Sequence, residues 1–403
     1  MLGSLLNAEG ARPTEKLIVL GASGSVGTTA LNFIEKNKQI QLSAISVHTS
    51  VKSLEDILLR FHVSEISITD ESAYDNNIEN LKSRHVHVNF YRGEAGVLEM
   101  IDRSDADTVL TAVVGASGIR ATMASLKLGK KIALANKETM VTAGPAICDY
   151  IQKASVKPVI MPVDSEHNAI FQLIHGVPDT HIEKLILTAS GGPFRDISIE
   201  DIKKVTLKQV LDHPTWNMGP KITVDSAGMI NKGLEIIEAH HLFSVPYEKL
   251  DVLIHKKSFV HGMIKTKDGG FLLAASSPDM VFPVAHALMY PDSVEKPHDA
   301  ASDPHTWPSL EFENVDPERY PGFTLALAAG RSGGTAPAIF NAVNEVAVSR
   351  FLSGNIEFTD IPRIIEMVME KVSVESGTEL ELFIDADLRS RKISEEIVSL
   401  LAR

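Results

Sequence analysis

The sequence has one cysteine, 6% aromatic residues and no long apolar run among its 403 residues. Because Cys148 has no partner, no internal disulfide forms, which is typical of a reducing cytosol. No run reaches the roughly eighteen apolar residues of a membrane-spanning helix, and residues 1–13 lack the basic start and apolar core of a signal peptide. These absences argue against a secreted domain and a membrane protein, and they predict a cytoplasmic one.

Basic residues are scarce relative to acidic ones. The chain has 39 Lys and Arg against 52 Asp and Glu, a formal net charge of −13. A surface of that charge repels a polyanion, so we expect no nucleic-acid partner. Apolar residues make up 44% of the chain, which is enough to bury a large core in roughly two or three domains.

Residues 16–163 alternate short β-branched runs with amphipathic stretches. The runs at residues 17–20 and 108–114 are examples, and helical patterns follow each of them. This alternation requires crossover connections and therefore predicts a doubly wound α/β domain with a mostly parallel sheet. We expect residues 1–15 to be a flexible extension before it.

The first predicted strand leads into a glycine-rich loop, GASGSVG, at residues 21–27. Glycines three apart permit a tight turn and let a pyrophosphate approach the N-terminus of the following helix, as in Rossmann-like domains. A purely structural turn is the alternative. The second strand ends at Val47 and is followed by His48, Thr49 and Ser50. With no carboxylate there to repel a 2′-phosphate, NADP is favoured over NAD.

Residues 136–138, Asn-Lys-Glu, follow a later strand of the same domain. Ligands of open α/β sheets collect beyond the carboxyl ends of the strands, so Asn136 and Glu138 are candidates to face a cofactor and Lys137 to reach a reacting oxygen. An ordinary helix start, with Asn136 as its cap, explains the same residues.

Two carboxylates, Asp164 and Glu166, end the apolar run of residues 159–163. In an extended backbone that spacing points both side chains to one side, where they can bind one hard cation. A third carboxylate, Glu235, lies on a predicted helix from about Ala227. Three carboxylates without sulfur or a histidine cluster match Mg²⁺ or Mn²⁺, whereas a solvated helix face is the alternative for Glu235.

The helix that carries Glu235 also offers donors to an anion. Asn231 lies one turn before Glu235, beside Lys232, and Ser226 precedes the helix. These side chains supply hydrogen-bond donors for a phosphate.

The second half of the chain has a different organisation. Residues 164–290 predict an α+β catalytic and dimerisation domain, with residues 190–219 as a mobile lid whose Trp216 and Met218 cover a ligand. A tryptophan buried in an ordinary core is the alternative. Prolines mark residues 291–322 as a linker, and residues 323–403 predict a small helical bundle.

Several strings in this order resemble the 1-deoxy-D-xylulose 5-phosphate reductoisomerase family. They include residues 21–27 (GASGSVG), 135–138 (ANKE), 162–172 (PVDSEHNAIFQ), 190–195 (SGGPFR), 213–219 (HPTWNMG), 231–235 (NKGLE) and 341–345 (NAVNE). The resemblance covers the chain after Lys16. Two features depart from the family pattern. Residues 48–50 stand where the family often has a more basic turn, and Gly228 stands where threonine is usual.

The resemblance implies an NADPH-dependent oxidoreductase that rearranges and reduces 1-deoxy-D-xylulose 5-phosphate to 2-C-methyl-D-erythritol 4-phosphate, a step of non-mevalonate isoprenoid biosynthesis. It implies Mg²⁺ or Mn²⁺ and a cytoplasmic homodimer of bacterial type. The implied metal ligands are Asp164, Glu166 and Glu235.

The resemblance also implies further roles. Lys137, Glu166 and Glu235 are the implied catalytic residues. The implied substrate contacts are Lys137, Ser165, Glu166, Ser190, His213, Trp216, Ser226, Asn231, Lys232 and Glu235. The implied NADPH contacts are Ser23, Gly24, Ser25, Val26, Ser50, Asn136, Glu138, Met218 and Gly219.

Two other functions fit parts of the pattern. A different NADP-dependent, metal-using dehydrogenase of a phosphorylated substrate shares the glycine loop and the carboxylates, but it does not need the phosphate string and the lid together. A non-enzymatic NADP sensor needs only the loop. The presence of all these features favours the reductoisomerase.

Overall fold

A computed structural model describes residues 10–216, 218–293 and 304–401. The N-terminal part is a seven-stranded parallel sheet in the order β4-β3-β2-β1-β5-β6-β7. Its strands are β1 Lys16–Leu20, β2 Gln41–Val47, β3 Glu65–Ile68, β4 Asn89–Arg92, β5 Thr108–Thr111, β6 Lys131–Leu134 and β7 Ile160–Pro162. The helices between them are α1 Ser25–Lys36, α2 Val51–Arg60, α3 Glu71–Arg84, α4 Gly93–Arg103, α5 Gly118–Lys127 and α6 Lys137–Lys153.

The parallel sheet is buried on both faces, which confirms the predicted doubly wound fold. Leu17, Ile18 and Val19 of β1 have no exposed surface, because helices cover the sheet on each side. The strand order reverses at β1, whose neighbours are β2 and β5. A crevice therefore opens beyond the carboxyl ends of β1 and β5, where such sheets bind ligands.

Two local features of this part differ from what the sequence indicates. Helix α3 was not predicted because it has almost no apolar periodicity, and only Leu81 of it is buried. Residues 10–15, expected in a flexible extension, instead pack on the sheet: Ala11 and Thr14 are buried, and Thr14 Oγ1 donates to the Leu288 carbonyl at 2.7 Å. Residues 1–9 of that extension lie outside the described residues.

A second, mixed sheet has the order β11-β10-β8-β9-β12. Its strands are β8 Ile182–Ala189, β9 Leu250–Ile254, β10 Val260–Thr266, β11 Phe271–Ala275 and β12 Glu313–Asn314. Strands β8 and β9 are parallel and the other pairs are antiparallel. The accompanying helices are α7 Ser165–Ile174, α8 Ile199–Ile202, α9 Leu207–Val210, α10 Pro220–Ala227, α11 Ile230–Phe243 and α12 Val281–Met289.

The C-terminal part is helical, as predicted. Its helices are α13 Pro321–Ser332, α14 Ala336–Leu352, α15 Asp360–Met369 and α16 Leu380–Leu401. The predicted linker, residues 291–322, contains strand β12 and the first turn of α13, so the part of it that is described is not wholly irregular. Residues 294–303 of the linker lie outside the described residues.

The C-terminal helices pack against α10 and α11. One apolar cluster joins Val224 and Leu234 of α10 and α11 to Phe340 and Ile364 of α14 and α15. This packing fixes the helices that carry much of the candidate site. No helix in the described residues is long and apolar enough to cross a membrane.

Candidate active site

A cleft of about 470 Å³ opens where the two sheets meet. The glycine loop after β1 and the start of α6 form one side, and α7, α10 and α11 form the other. The predicted site residues that line it are Gly24, Ser25, Val26, Lys137, Glu138, Asp164, Ser165, Glu166, Ser190, His213, Trp216, Met218, Gly219, Ser226, Asn231, Lys232 and Glu235. The fold therefore gathers segments that are far apart in sequence into one site.

The glycine loop needs glycine for its own geometry. Gly21 has φ +82°, and a Cβ there would lie 2.4 Å from the Ala112 carbonyl oxygen. A Cβ on Gly27 would lie 2.3 Å from the Gly21 carbonyl oxygen, where α1 packs against the loop. Gly24 is exposed and precedes the first turn of α1, so the free N–H groups of that turn face the cleft. The loop is therefore a tight structural turn, and the same loop stays the candidate for a pyrophosphate.

Three predicted cofactor contacts do not line the cleft. Ser23 is an exposed residue of the glycine loop, and Ser50 is exposed where α2 begins. Asn136 is buried: its Nδ2 donates to the Val113 and Gly115 carbonyls at 2.8 and 2.9 Å, and its Oδ1 accepts from the Thr139 N–H. The helix-cap alternative for Asn136 is therefore confirmed.

Glu138 is held by a lysine that the sequence analysis missed. Lys221 Nζ lies 2.6 Å from Glu138 Oε1 and 2.9 Å from Asp225 Oδ2. Burial raises the pKa of Glu138, but Lys221 outweighs that effect and holds it below its usual value. Glu138 therefore faces the cleft as a carboxylate. Lys221 connects it to α10, which directly follows residues 190–219.

The three predicted metal ligands converge. One carboxylate oxygen from each of Asp164, Glu166 and Glu235 lies within 4.8 Å of the others. The expected extended backbone is wrong, however: Asp164 is the N-cap of α7, and Glu166 lies in its first turn. The helix begins at Ser165, so both side chains reach the cleft from a helix start. Glu235 meets them from α11.

Two lysines lie among these carboxylates. Lys137 Nζ is 2.5 Å from Asp164 Oδ2 and 2.9 Å from Glu235 Oε1. Lys232 Nζ is 2.6 Å from Glu166 Oε1 and also pairs with Glu235. Burial lowers the pKa of each ammonium, but the surrounding carboxylates outweigh it and raise both values. Both lysines therefore stay charged.

The charges of this cluster do not balance. Two ammonium groups face three carboxylates, and burial together with the neighbouring Glu235 raises the pKa of Glu166 to about 7. The raised pKa shows that the crowded carboxylates disfavour one another's charge, and an all-oxygen set of this kind fits a hard divalent cation such as Mg²⁺ or Mn²⁺. The residues present therefore fit the metal that the sequence predicted.

The predicted phosphate donors lie beside this cluster. His213 Nδ1 accepts hydrogen bonds from the N–H groups of Thr215 and Trp216, at 3.2 and 2.9 Å. Its Nε2 therefore carries the proton and lies 3.2 Å from Ser190 Oγ. Burial and the nearby Arg195 lower the pKa of His213 to about 4. His213 is thus a neutral donor at pH 7.

Asn231 is held within the charged cluster. Its Oδ1 accepts from Lys137 Nζ at 2.9 Å, and its Nδ2 donates to Glu235 Oε1 at 2.5 Å. Asn231 thus links Lys137, a predicted substrate contact, to Glu235, a predicted metal ligand.

The segment predicted as a lid lines the cleft with residues near its two ends, and it contains the short helices α8 and α9 between them. Trp216 is half-buried and lines the cleft, with its ring 6.4 Å from that of His261, so it does not belong to an ordinary core. Its neighbour Asn217 lies outside the described residues. Arg319 Nη1 donates to the Phe194 and Ile197 carbonyls and so ties the start of the segment to the residues just before α13.

Other cleft residues were missed. Besides Lys221, they include Ser258, His261 and Met280. His261 lies on β10, and burial lowers its pKa to about 4. No local motif marks these residues, because their strands and loops read as ordinary sheet. Only the pairing of β10 with β8 brings His261 to the cleft.

Three family models match successive parts of the chain. The model of 1-deoxy-D-xylulose 5-phosphate reductoisomerase matches residues 17–144. Its C-terminal domain model matches residues 160–243, and the DXP reductoisomerase C-terminal domain model matches residues 275–393. Together they extend over both sheets and the helical part.

Curated relatives and solved structures agree with these matches. The 1-deoxy-D-xylulose 5-phosphate reductoisomerase of Leptospira interrogans is 44% identical over 382 residues, which cover 94% of this chain and 96% of the relative. The enzyme of a Geobacillus strain is 42% identical over 376 residues, covering 93% and 97%.

Two solved structures have the same fold. That of the Zymomonas mobilis reductoisomerase in complex with NADPH has a TM-score of 0.85 and 37% identity, covering 95% of this chain and 99% of that one. A DOX-P reductoisomerase in complex with NADPH, fosmidomycin and magnesium has a TM-score of 0.89 and 34% identity, covering 96% and 99%. With relatives this similar over nearly their whole length, the chain belongs to the 1-deoxy-D-xylulose 5-phosphate reductoisomerase family.

Proposed function

We propose that this protein converts 1-deoxy-D-xylulose 5-phosphate to 2-C-methyl-D-erythritol 4-phosphate, with NADPH as reductant and Mg²⁺ or Mn²⁺ as cofactor. The observation that carries the proposal is the convergence of Asp164, Glu166 and Glu235 with Lys137 and Lys232, in one cleft with the glycine loop. Such a cleft places a metal, a phosphorylated substrate and a dinucleotide within reach of one another.

Asp164, Glu166 and Glu235 hold the metal in this proposal. When bound, the divalent cation polarises the ketone and NADPH supplies the hydride. Lys137 keeps its charge beside the same carboxylates and stabilises negative charge that develops on the substrate oxygens. Ser165, whose hydroxyl donates to Glu166, is placed to meet the substrate.

The other end of the substrate is the phosphate. Ser190, Ser226, Asn231 and Lys232 bind it, and His213 adds its neutral Nε2–H beside Ser190. Binding energy from the phosphate then positions the reacting carbons, which lie elsewhere in the cleft. Trp216 and Met218 cover the site and keep water away from the hydride transfer.

The cofactor side uses the loop and its surroundings. Gly24, Ser25 and Val26 contact NADPH at the start of α1, and Glu138 and Gly219 contact it within the cleft. Ser23 is placed to contact it from the same loop, and Ser50 from the turn after β2. Asn136 acts by shaping the turn at Val113 and Gly115.

In this proposal each part of the chain has its own role. Residues 16–163 bind NADPH, residues 164–290 supply the metal and substrate groups with residues 190–219 as the lid, and residues 323–403 support the helices α10 and α11.

The test is an assay of the purified protein with NADPH, Mg²⁺ and 1-deoxy-D-xylulose 5-phosphate, followed by loss of NADPH absorbance and by identification of the product. We expect oxidation that needs both the substrate and the metal. Oxidation without the metal favours another dehydrogenase, and binding of NADP without turnover favours a sensor. Either outcome contradicts the proposal.

We also propose that the protein is a homodimer. Strand β11 is an edge strand, and its consecutive residues Phe271, Leu272 and Leu273 are 57%, 39% and 38% exposed. An exposed apolar edge of this kind favours pairing with a second copy. Light scattering of the full chain is expected to give twice the monomer mass. The variant Leu272→Lys is expected to give a lower mass, because a charge on the exposed edge disfavours pairing. A monomeric wild type contradicts the proposal.

We propose a cytoplasmic location for this activity. Cys148 is a free thiol, which suits a reducing compartment. Fractionation of the source cells is expected to leave the protein with the cytosolic markers, and its recovery with the membrane contradicts this.

A further inference from the structure

His167 lies under the metal-binding carboxylates and bridges two helices. It is fully buried on α7, and its Nε2 lies 2.9 Å from the backbone carbonyl oxygen of Glu235 on α11. A carbonyl oxygen can only accept, so Nε2 donates. The Nδ1 atom faces two carboxylates, 3.5 Å from Glu238 Oε2 and 3.7 Å from Asp164 Oδ1.

Glu238 has no evident reason to be buried where it is. Its side chain is 1% exposed, and neither of its oxygens has a hydrogen-bond partner in the described part of the chain. A buried carboxylate without such partners costs free energy. Yet Glu238 lies three residues after Glu235 on α11, on the side that faces His167.

The arrangement connects Glu238 to the metal-binding groups on both helices. Through His167, Glu238 faces Asp164, the N-cap of α7. The same ring is fixed to the backbone of Glu235 and stacks on Phe243, with centroids 6.1 Å apart and planes at 15°. Groups that lie behind a metal ligand, including a ligating carboxylate, commonly fix its orientation.

We propose that Glu238 is a positioning residue for the metal site: acting through His167, it sets the orientation of Asp164 and the spacing between α7 and α11. Glu238 itself touches neither metal nor substrate. This inference depends on the proposed function, because it assigns the metal to Asp164, Glu166 and Glu235.

The experiment titrates the full-length protein with Mn²⁺ and measures free Mn²⁺ by electron paramagnetic resonance, with NADPH affinity measured separately by fluorescence. Glu238→Gln keeps the shape and removes the charge. We expect Mn²⁺ affinity to fall about tenfold or more and NADPH affinity to stay within twofold. In turnover, the concentration of Mn²⁺ for half-maximal rate rises while kcat at saturating Mn²⁺ is largely retained.

Two further variants make the result specific. On a His167→Gln background, Glu238→Gln is expected to add no further loss of Mn²⁺ affinity, since Glu238 acts through that ring. Glu345→Gln removes another largely buried carboxylate. Its partners are Arg391 and Asn341, and it is not one of the carboxylates that cluster at the proposed metal site. It is expected to leave Mn²⁺ affinity unchanged.

Each other outcome contradicts the inference. Unchanged Mn²⁺ affinity in Glu238→Gln overturns it, and so does an equal loss of NADPH and Mn²⁺ binding, which indicates general damage. Binding of two Mn²⁺ ions by the wild type also overturns it, because Asp164, His167 and Glu238 then act as ligands of a second ion. A wild type that binds no Mn²⁺ sinks the metal assignment in the proposed function, and the inference with it.

Discussion

The two sides of the cleft are built in opposite ways. The proposed cofactor side is built around one continuous loop, residues 21–27, whose geometry depends on its glycines and which carries no charged side chain of its own. The substrate side is a buried cluster of charges from α6, α7 and α11, whose members lie up to a hundred residues apart in sequence, a spacing of the order that only tertiary structure can bridge.

This difference predicts which substitutions impair ligand binding on each side of the cleft. A backbone cradle is sensitive to added side-chain volume and insensitive to charge elsewhere. A buried charge cluster is sensitive to the loss of any one member, because its partners are then left buried without compensation. Damage to one side is therefore expected to leave ligand binding at the other side largely intact.

The largest effect is expected for Lys137→Met. It leaves Asp164 and Glu235 without their shared cation, so turnover is expected to fall by about a hundredfold or more, and stability by about 3–5 kcal/mol. Steady-state rates and chemical denaturation measure the two effects. Lys130→Met is the matched control: within the described residues the hydrogen bonds of this buried lysine go to the Ser104 and Ala106 carbonyls, so turnover is expected to be kept. Equal turnover in both variants contradicts the charge-cluster account.

The glycine loop offers a pair of variants that separates ligand approach from packing. Gly24→Ala places a Cβ 3.3 Å from the Gly21 carbonyl oxygen, a tight contact that the loop can absorb, but it adds volume beside the start of α1. Gly27→Ala places a Cβ only 2.3 Å from that oxygen. NADPH affinity is expected to fall about tenfold in both, and the melting temperature only in Gly27→Ala. Loss of Mn²⁺ affinity in Gly24→Ala contradicts the independence of the two sides.

A smaller effect is expected at the start of α2. Ser50 stands at the N-cap position of α2, where aspartate is also favoured, so Ser50→Asp introduces a carboxylate where the 2′-phosphate of NADPH is expected without disfavouring the helix start. NADPH affinity is expected to fall several-fold, while NADH affinity stays the same or rises. Ser50→Asn places another favoured N-cap residue there without the charge and serves as the control. If both variants bind NADPH like the wild type, the turn after β2 does not contact the phosphate.

The smallest effect is expected for Gly228→Ala, on the substrate side but away from its charges. The backbone at Gly228 has φ −95°, and an added Cβ would have ordinary contacts of 3.6 Å or more, the nearest with Phe358. Because alanine loses less conformational freedom than glycine on folding, the free energy of unfolding is expected to rise by about 0.5–1 kcal/mol. Turnover is expected to be unchanged. A large loss of turnover contradicts the view that the charges, and not volume, set the sensitivity of this side.

The sequence predicted features that are local in the chain. The parallel sheet follows from alternating strand and helix patterns, the glycine loop from its spacing, and α13 to α16 from the helical patterns of residues 323–403. The carboxylates were also found, because Asp164 and Glu166 end an apolar run and Glu235 lies in a polar string. Their expected extended backbone was wrong because the strand β7 ends at Pro162 and a helix starts at Ser165.

Features that depend on tertiary packing were missed. Lys221 resembles an ordinary residue of a helix start until folding places it between Glu138 and Asp225. His167 has no predicted role of its own in the sequence, whereas in the fold it connects α7 to α11. Residues 10–15 read as an extension because they are too short to show periodicity, yet hydrogen bonds to α12 fix them.

The most direct test of the account is the binding of Mn²⁺ and NADPH to Glu235→Gln, measured separately on the same purified protein. Glu235 is one of the three carboxylates proposed to bind the metal, and it pairs with both Lys137 and Lys232. The account predicts a sharp loss of Mn²⁺ affinity and of turnover, with NADPH affinity nearly unchanged. Unaltered turnover at saturating metal, or unaltered Mn²⁺ affinity, would contradict it.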